Sequence, residues 1–195
     1  MIKTYVIDTN VLIQAPYAIE CFEENNLVLP LVVLEELDGL KKAEGEKGAN
    51  ARAAVRKLES YRQKGDLLQG VKLPGGGILR IEKNFVQVEL PQDIPDDKPD
   101  NRILKVCKGL AETEKEGQVI LVTKDIVLRL KAQILGIRAE DFERERISED
   151  DAQYTGRTEI YFPEEKVKEF KKKGIPLTDA YQSDEEGNRS TLTFH

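Results

Sequence analysis

Short apolar runs that end at a cap-forming residue recur along this chain, and this alternation constrains the fold more than any other feature. Residues 2–7 predict a buried strand that ends at Asp8, and residues 118–122 form the most hydrophobic run, just before Asp125. Each run is followed by residues that favour the start of a helix. Short strands that alternate with helices are typical of a parallel sheet flanked by helices. We therefore predict an α/β fold.

The remaining elements are predicted from periodicity and turn residues. A strand at 27–29 precedes a helix that opens at Pro30. This helix is expected to bury Leu31, Leu34 and Leu37 on one face. Further predicted elements are an exposed connection at 41–50, a helix at 49–64, a hairpin of 71–73 with 78–81, a short strand at 85–90 that either stands alone or extends the hairpin, a helix at 101–116, a helix that ends at Gly136 and a last strand at 137–139.

The chain length and a change in composition indicate one domain with an appendage. The 195 residues suffice for a single α/β domain with its own core. Beyond about residue 141 the sequence becomes highly charged; there, residues 157–162 predict a strand and residues 163–173 a charged helix. We assign residues 1–140 to the domain and residues 141–195 to a linker or C-terminal extension.

The scarcity of histidine and cysteine limits the chemistry that this chain can perform. His195 is the only histidine, and the two cysteines, Cys21 and Cys107, are far apart. A zinc site needs clustered Cys and His ligands, and Ser-His-Asp or Cys-His catalysis needs a histidine. These classes of site are therefore excluded. Any hydrolysis must use carboxylates, a metal ion or both.

The charge and hydropathy pattern indicates where the protein works. A formal net charge of −6 argues against nucleic-acid binding by the whole surface, although it allows local basic stripes. No apolar run approaches the roughly 20 residues that cross a bilayer. The sequence also enters a strand pattern directly after Met1, without a secretory signal. We expect a cytoplasmic protein with no membrane partner.

Four acidic residues from separate segments are predicted to meet at one edge of the sheet. Asp8 and Asp125 follow strands. Glu36 lies in the helix after the second strand, and Asp100 opens a helix after a long loop. Ligands of open parallel sheets bind beyond the carboxyl ends of the strands. Clustered carboxylates repel one another unless hard cations such as Mg²⁺ or Mn²⁺ neutralise them.

Each acid also has an ordinary structural interpretation. The three aspartates precede helices and could cap them, and Glu36 stands on a charged helix face. Asn10 and Thr123 could support the site by hydrogen-bonding a carboxylate or a metal-bound water. A pair of divalent ions at such a site could activate water for attack at phosphorus. The order of the four segments, rather than any single acid, carries this hypothesis.

Four stretches in this order carry a family resemblance: Val6–Leu12, Val32–Asp38, Asp100–Leu104 and Leu121–Asp125. The chain resembles the PIN domain family, most closely the N-terminal PIN domain of PhoH-like ATPases. The resemblance covers residues 1 to about 140 and implies a three-layer α/β/α sandwich with a central, mainly parallel sheet. It also implies that the metal-binding catalytic acids are Asp8, Glu36, Asp100 and Asp125, with Thr123 as the hydroxyl residue of the family.

The resemblance further implies a ribonuclease that cuts single-stranded RNA with Mg²⁺ or Mn²⁺. In these relatives an ATPase domain follows in the same chain. This sequence contains no Gly-Lys-Ser or Gly-Lys-Thr phosphate-binding loop, so we expect residues 141–195 to be a connector to an ATPase domain outside it. PIN domain relatives often pair or form rings, and a homo-oligomer is therefore one expected state.

A basic stripe after the Glu36 helix is predicted to guide the RNA backbone. It covers residues 41–57, where the candidate RNA contacts are Lys41, Lys42, Arg52 and Arg56, although charged runs on helices are commonly only solvated faces. Three other functions remain open: a toxin-type PIN endoribonuclease, a non-catalytic module that binds RNA or protein, and a phosphoacceptor receiver domain. The receiver domain fits least, because it needs a pair of acids after the first strand and only Asp8 stands there.

Overall fold

The computed structural model describes residues 2–95, 97–114, 117–142, 181–183 and 189–191. Within the first three ranges, one sheet contains β1 (Thr4–Ile7), β2 (Asn26–Pro30), β3 (Val71–Lys72), β4 (Ile78–Glu82), β5 (Val119–Val122) and β6 (Arg138–Glu140). The helices are α1 (Thr9–Gln14), α2 (Leu31–Leu40), α3 (Gly45–Arg62), α4 (Pro99–Thr113) and α5 (Ile126–Ile134), with a 3₁₀ helix at Pro16–Glu20.

The sheet is parallel except at one edge. Its strand order is β3-β4-β2-β1-β5-β6, and β3 pairs with β4 in the antiparallel direction. The central strand β1 has β2 and β5 as parallel neighbours. Both β1 and β5 are buried along their whole length, as expected for strands of a parallel sheet that helices cover. The predicted α/β fold with a central, mainly parallel sheet is confirmed.

The register aligns the carboxyl ends of β1 and β5. Ile7 pairs with Val122, and the amide of Asp8 donates to the carbonyl of Val122 at 3.1 Å. The parallel neighbour β2 ends at the same edge and leads directly into α2. This edge therefore collects Asp8, Thr123 and the start of α2.

Helix α2 buries a different face from the predicted one. Val32, Val33 and Leu37 are almost fully buried, whereas Leu31 is 37% exposed and Leu34 is half-buried. The predicted inner face of Leu31, Leu34 and Leu37 was therefore wrong at its first position. The reason is that residues 31–34 are all apolar, so this run does not select one face of the helix.

The connection between α2 and α3 is shorter than predicted. Helix α3 already begins at Gly45, so the second half of the predicted exposed connection is helical. Gly48 is buried, and a Cβ atom there would lie 1.8 Å from the carbonyl oxygen of Ala43. The buried Asn50 donates to the carbonyl of Ile13 at 2.9 Å and so ties α3 to α1. Glycines lower helix propensity, which explains why the sequence did not predict this start.

The strand predicted at residues 85–90 does not form, whereas the predicted hairpin is confirmed as β3 and β4. Phe85 has a φ of 44°, and its ring lies over Gly109 of α4, where a Cβ atom would approach to 2.2 Å. Val88 is buried, but Val86 is 85% exposed. The alternation that suggested a strand therefore reflects a loop that lies against α4.

The chain separates into two compact units, Met1–Arg146 and Ile147–His195. In the second unit, β7 (Tyr181–Ser183) pairs with β8 (Arg189–Thr191) in the antiparallel direction. The strand predicted at 157–162, the helix predicted at 163–173 and the predicted end of α4 at residue 116 lie outside the described residues. The assigned domain boundary at residue 140 stays a prediction. None of the helices in the described ranges is long and apolar enough to cross a membrane.

Candidate active site

Asp8 lies at the centre of the carboxyl edge of the sheet. It directly follows β1 and is only 4% exposed. Although Asp8 occupies the N-cap position of α1, its side chain makes no capping hydrogen bond. Its Oδ2 atom instead accepts a hydrogen bond from Oγ1 of Thr123 at 2.6 Å. The carboxylate of Asp8 is therefore not used to cap its own helix.

The electrostatic surroundings of Asp8 connect it with two of the other predicted acids. The pKa of Asp8 is raised to about 6, chiefly by burial, while hydrogen bonds from Thr123 and from the backbone of Thr9 oppose this rise. The negative charges of Asp100 and Glu36 are smaller contributions to the same rise. Charges act in this way only over short distances inside a protein. The fold therefore brings Asp8, Glu36 and Asp100 into one region.

Glu36 is held in place by a hydroxyl group from the neighbouring segment. Oγ1 of Thr9 donates a hydrogen bond to Oε2 of Glu36, and this contact links the start of α1 to the middle of α2. Thr9 is buried, and Glu36 is half-buried. Thr9 was not predicted from the sequence to be a site residue. Its position between Asp8 and Asn10, within the first stretch of the resemblance, was the available signal.

Asp100 lies inside the first turn of α4 and not at its cap. The N-cap residue is Lys98, whose side chain makes no capping hydrogen bond. A negative charge in the first turn is stabilised by the helix dipole. The adjacent Asn101 is 2% exposed; it donates to the carbonyl of Pro95 at 2.6 Å and accepts from Nζ of Lys131 at 2.9 Å. These bonds fix the start of α4 and hence the backbone position of Asp100.

Asp125 differs from the other three acids because its side chain caps a helix. Its Oδ1 atom accepts hydrogen bonds from the amides of Val127 at 2.7 Å and Leu128 at 3.3 Å. The capping interpretation that the sequence left open thus applies to Asp125. Both capping hydrogen bonds are accepted by Oδ1 of Asp125, and neither involves its Oδ2.

Thr123 and Asn10 join the two strands that end at this edge. The hydroxyl of the fully buried Thr123 donates to Asp8 and accepts from Nδ2 of Asn10 at 3.1 Å and from the amide of Asp125 at 3.0 Å. Oδ1 of Asn10 accepts from the amide of Lys124 at 3.1 Å. A single hydroxyl group therefore sets the relative positions of Asp8, Asn10 and Asp125.

The donor chemistry of this edge can be compared with the needs of a divalent ion. Within the part of the chain that the structure describes, no three His, Cys, Asp or Glu side chains are grouped so as to hold one metal ion. Mg²⁺, however, keeps several waters and commonly binds one or two carboxylates together with phosphate oxygens. The side chains around Asp8 offer the oxygen atoms that hard ions prefer, and a cation would favour the ionised form of Asp8. The residues present therefore fit Mg²⁺ or Mn²⁺ through Asp8 and one neighbouring acid.

The predicted basic stripe contains residues with different structural roles. Nζ of Lys41 pairs with Asp38 at 2.5 Å, and Nη1 of Arg52 donates to the carbonyl of Lys41 at 2.7 Å. Arg52 therefore holds the connection between α2 and α3. Lys42 and Arg56 are exposed on the surface of the same region.

Two lysines from separate segments line a cavity of about 500 Å³. Lys47 at the start of α3 and Lys124 next to Asp125 contribute to its wall together with Phe142. Nζ of Lys124 donates to the carbonyl of Phe142 at 3.1 Å. No role was predicted for Lys124 from the sequence, because a single lysine between two polar residues has no distinctive pattern.

Comparison with known proteins gives the family of this chain. Residues 5–143 match the family model described as PIN domain. Protein PhoH2 from Bacillus subtilis is 44% identical over 188 residues, which cover 93% of this chain and 42% of that protein. Protein PhoH2 from Thermobispora bispora is 35% identical over 181 residues, which cover 91% of this chain and 40% of that protein. The chain thus spans about two fifths of the length of these relatives.

Among solved structures, the PIN domain of human SMG5 aligns with 71% of this chain and 92% of that chain, at 19% identity and a TM-score of 0.43. PIN domains are in general metal-dependent nucleases. The family match begins in β1, ends just after β6 and includes all four predicted acids. This chain belongs to the PIN domain family.

Proposed function

We propose that this chain is a metal-dependent ribonuclease that hydrolyses the phosphodiester bonds of single-stranded RNA. Asp8, Glu36, Asp100 and Asp125 form the acidic site that would hold Mg²⁺ or Mn²⁺, with Asp8 and one neighbouring acid as direct ligands. The observation that carries the proposal is the buried carboxylate of Asp8 at the edge of a PIN domain sheet, with the charges of Glu36 and Asp100 close to it. Carboxylates placed together in this way are stable at neutral pH when a cation lies between them.

In the proposed reaction, the side chains of this domain orient the acidic residues and supply their negative charge. Thr123 orients Asp8, and Thr9 orients Glu36, through hydrogen bonds from their hydroxyl groups. The amides at the start of α5 fix Asp125 through Oδ1. A bound divalent ion supplies an activated water and neutralises charge at the leaving oxygen. Buried hydroxyl groups that orient ligands commonly change metal affinity by about 10- to 100-fold when they are removed.

The proposed substrate and setting rest on the family resemblance and on local positive charge. Lys42, Arg56, Lys47 and Lys124 are basic groups on the segments next to the acids, where an RNA backbone could lie. The PhoH2 relatives are more than twice as long as the matched region. We infer that in the full-length cytoplasmic protein a PhoH-like ATPase or RNA helicase domain follows in the same chain.

One other function has a specific observation in its favour. The described acids do not form a ready group of three around one point, and Asp125 is engaged as a helix cap. Both facts would suit a non-catalytic module that binds RNA or protein. The two functions differ in one respect: only the nuclease needs a divalent ion at Asp8.

The test is cleavage of labelled single-stranded RNA with Mn²⁺, with Mg²⁺ and with a chelator, alongside DNA of the same sequence. The variant Asp8→Asn should abolish cleavage. Asp38→Asn is a matched control, because Asp38 is an exposed acid on the same helix as Glu36 and pairs with Lys41. Calorimetric titration of Mn²⁺ into the same variants gives a measurement that does not depend on activity.

The outcomes separate the two functions. Cleavage that requires metal, is lost in Asp8→Asn and is kept in Asp38→Asn supports the nuclease. RNA binding without cleavage, together with no Mn²⁺ binding to the wild-type chain, supports the non-catalytic module. Equal cleavage by wild type and Asp8→Asn would refute the assignment of the site.

A further inference from the structure

The cavity of about 500 Å³ lies close to the carboxylate of Asp8. Its wall includes Gln14, the last residue of α1, and this helix begins directly after Asp8. Gln14 therefore lies about 9 Å along the helix axis from Asp8. Lys124 is another part of the wall and follows Thr123, whose hydroxyl donates to Asp8. A strand of RNA with a phosphate at Asp8 can thus place a nearby base in this space, which we call the α1–α3 cavity.

Hydrogen bonds between segments hold the walls of the α1–α3 cavity in place. The buried Asn50 of α3 donates to the carbonyl of Ile13 in α1 at 2.9 Å. The amide of Lys124 donates to Oδ1 of Asn10 at 3.1 Å, and its Nζ donates to the carbonyl of Phe142 at 3.1 Å. Sites for small ligands are commonly preformed, with volumes of about 300–1,000 Å³. The cavity has the size and the fixed walls of such a site.

Phe142 adds an aromatic residue to the lining of the α1–α3 cavity. Its ring packs against Phe22, with ring centroids 6.2 Å apart and planes tilted by 38°. Ile13 and Ala15 contribute aliphatic groups to the same lining. Unpaired bases of RNA bind by stacking on aromatic side chains. The apolar part of the lining is therefore suited to the flat face of a nucleobase.

The polar part of the lining has hydrogen-bonding groups that the protein does not use. Within the described residues, the side chains of Gln14, Glu46 and Lys47 have no hydrogen-bond or ion-pair partner. The amide of Gln14 both donates and accepts, whereas an ionised carboxylate only accepts. Lys47 and Lys124 offset the negative charge of Glu46, so an RNA strand can approach. These groups are suited to the polar edge of a base.

The carboxylate of Glu46 would discriminate between bases, because it requires a donor. Adenine, cytosine and guanine each carry an exocyclic amino group that donates. Uracil has carbonyl oxygens on both sides of its single ring N–H group, and these oxygens repel a carboxylate. We propose that the α1–α3 cavity binds one base of the RNA and prefers a base with an amino group over uracil. This inference rests on the proposed function, which supplies single-stranded RNA as the ligand.

The test is the affinity for short fluorescent RNAs, measured by anisotropy in chelator so that the RNA stays intact. One RNA is oligouridine, and the others carry a single adenine, cytosine or guanine at its centre. Wild type should bind the RNAs with an amino-bearing base about 10-fold more tightly than oligouridine. Cytosine gives the sharpest comparison, because its ring has the same size as that of uracil and differs in the amino group.

Glu46→Gln should remove this preference, because an amide keeps the shape of the side chain but can also donate to a carbonyl oxygen of uracil. Glu44→Gln is the matched control. It removes the same charge from an exposed residue just before α3 that does not line the cavity. Phe142→Leu should weaken the binding of every RNA by about 10-fold, because the stacking surface is lost. Circular dichroism melting checks that each variant folds.

A preference for cytosine over uracil that is lost in Glu46→Gln and kept in Glu44→Gln supports the base site. Equal affinities for all the RNAs, no measurable binding of any of them, or a preference that survives Glu46→Gln overturns it. Unchanged affinities in a folded Phe142→Leu variant overturn it as well. Cleavage that requires Asp8 without any base preference would refute the base site alone. Base preference in chelator, without cleavage in Mn²⁺ or Mg²⁺, would refute the nuclease alone.

Discussion

The hydroxyl of Thr123 donates to the carboxylate of Asp8 over 2.6 Å and links the ends of the adjacent strands β5 and β1. The same oxygen accepts hydrogen bonds from Asn10 and from the amide of Asp125. The positions of Asp8, Asn10 and the amide of Asp125 at the carboxyl edge of the sheet therefore depend on one buried side chain. The position of Asp8 is set by this hydrogen bond as much as by its own strand.

Replacing Thr123 by valine should destabilise the metal-free protein by about 2–3 kcal/mol. Valine has nearly the same shape, but it leaves the amide of Asp125 and the side chain of Asn10 without their acceptor. The pKa of Asp8 should rise further, because a hydrogen bond that lowers it is removed. Urea unfolding measures the stability. Thr123→Ser keeps the hydroxyl and should be destabilised much less; equal losses of stability in the two variants would contradict this role of the hydroxyl.

The carboxylate of Asp8 should make the stability of the metal-free protein fall with rising pH. Its pKa is raised by burial from the ordinary 3.8 to about 6 in the folded state. The folded state therefore binds the proton more tightly than the unfolded state, and stability decreases between about pH 4 and pH 6. Above this range the unfavourable contribution reaches at most about 3 kcal/mol.

Asp8→Asn removes this contribution and should stabilise the protein near neutral pH when a chelator is present. The measurement is the difference in the free energy of urea unfolding between the variant and wild type, taken at about pH 4 and about pH 7. The difference should grow with pH. A difference that is the same at both pH values would show that Asp8 has an ordinary pKa.

The sequence predicted those parts of the fold that are governed by local burial. Strands β1 and β5 were predictable because every one of their residues is buried, which leaves a continuous apolar run. The start of α3 and the loop at 85–90 were not predictable. At Gly48, the absence of a side chain lets the helix backbone approach the carbonyl oxygen of Ala43 closely. At Gly109, the absence of a side chain leaves room for the ring of Phe85, which lies in a loop. Both features depend on packing that the local sequence pattern does not show.

In the candidate site too, some features follow from the local sequence pattern and others depend on packing. The order of the acids placed Asp8 and Asp125 after strands that end at one edge, as the structure has them. Whether a side chain caps a helix or faces its neighbours depends on rotamers, so the sequence could not show that Asp125 caps α5 while Asp8 leaves its cap position unused. The hydrogen bond from Thr9 to Glu36 joins residues 27 positions apart. It could not be predicted from the sequence, because it depends on how α1 packs against α2.

Removing the hydroxyl of Thr9 should raise the metal concentration that the proposed nuclease activity needs, because it releases Glu36. Thr9→Val keeps the shape of the buried side chain but cannot donate to Oε2 of Glu36. The Mn²⁺ concentration that gives half-maximal cleavage should rise by roughly 10-fold, with a smaller change in the rate at saturating metal. Thr9→Ser should restore most of the wild-type curve. Identical metal titrations for Thr9→Val and wild type would rule out this positioning role.

Two glycines of the α2–α3 region should respond to alanine in opposite directions. A Cβ atom at Gly48 would lie 1.8 Å from the carbonyl oxygen of Ala43, so Gly48→Ala must displace backbone and should destabilise the fold by about 1–3 kcal/mol. Gly39 is helical and has no atom within 4 Å of its Cβ position. Gly39→Ala should therefore stabilise by about 0.4–1 kcal/mol. Thermal or urea unfolding measures both, and a stabilised Gly48→Ala variant would mean that the α2–α3 connection does not lie this close.

The basic stripe should separate into residues that bind RNA and a residue that holds the fold. Arg52→Ala removes hydrogen bonds to the α2–α3 connection and should reduce stability by about 1 kcal/mol. Lys42→Ala with Arg56→Ala should leave stability unchanged, because both side chains are exposed. The measurement is the slope of log affinity for single-stranded RNA against log salt concentration, taken in chelator so that the RNA stays intact. For each phosphate that the double variant no longer neutralises, the magnitude of this slope should decrease by about 0.7.

Arg62→Ala is the matched control for this experiment, because Arg62 is exposed on the same helix but pairs with Glu59 at 2.7 Å. It should not change the salt slope. An RNA strand that follows the α2–α3 surface meets Lys42 and Arg56, whereas one that follows the cavity near Asp125 meets Lys47 and Lys124. An unchanged slope in the Lys42 and Arg56 double variant, with a reduced slope in Lys47→Ala and Lys124→Ala, would therefore move the RNA path from Lys42 and Arg56 to the cavity.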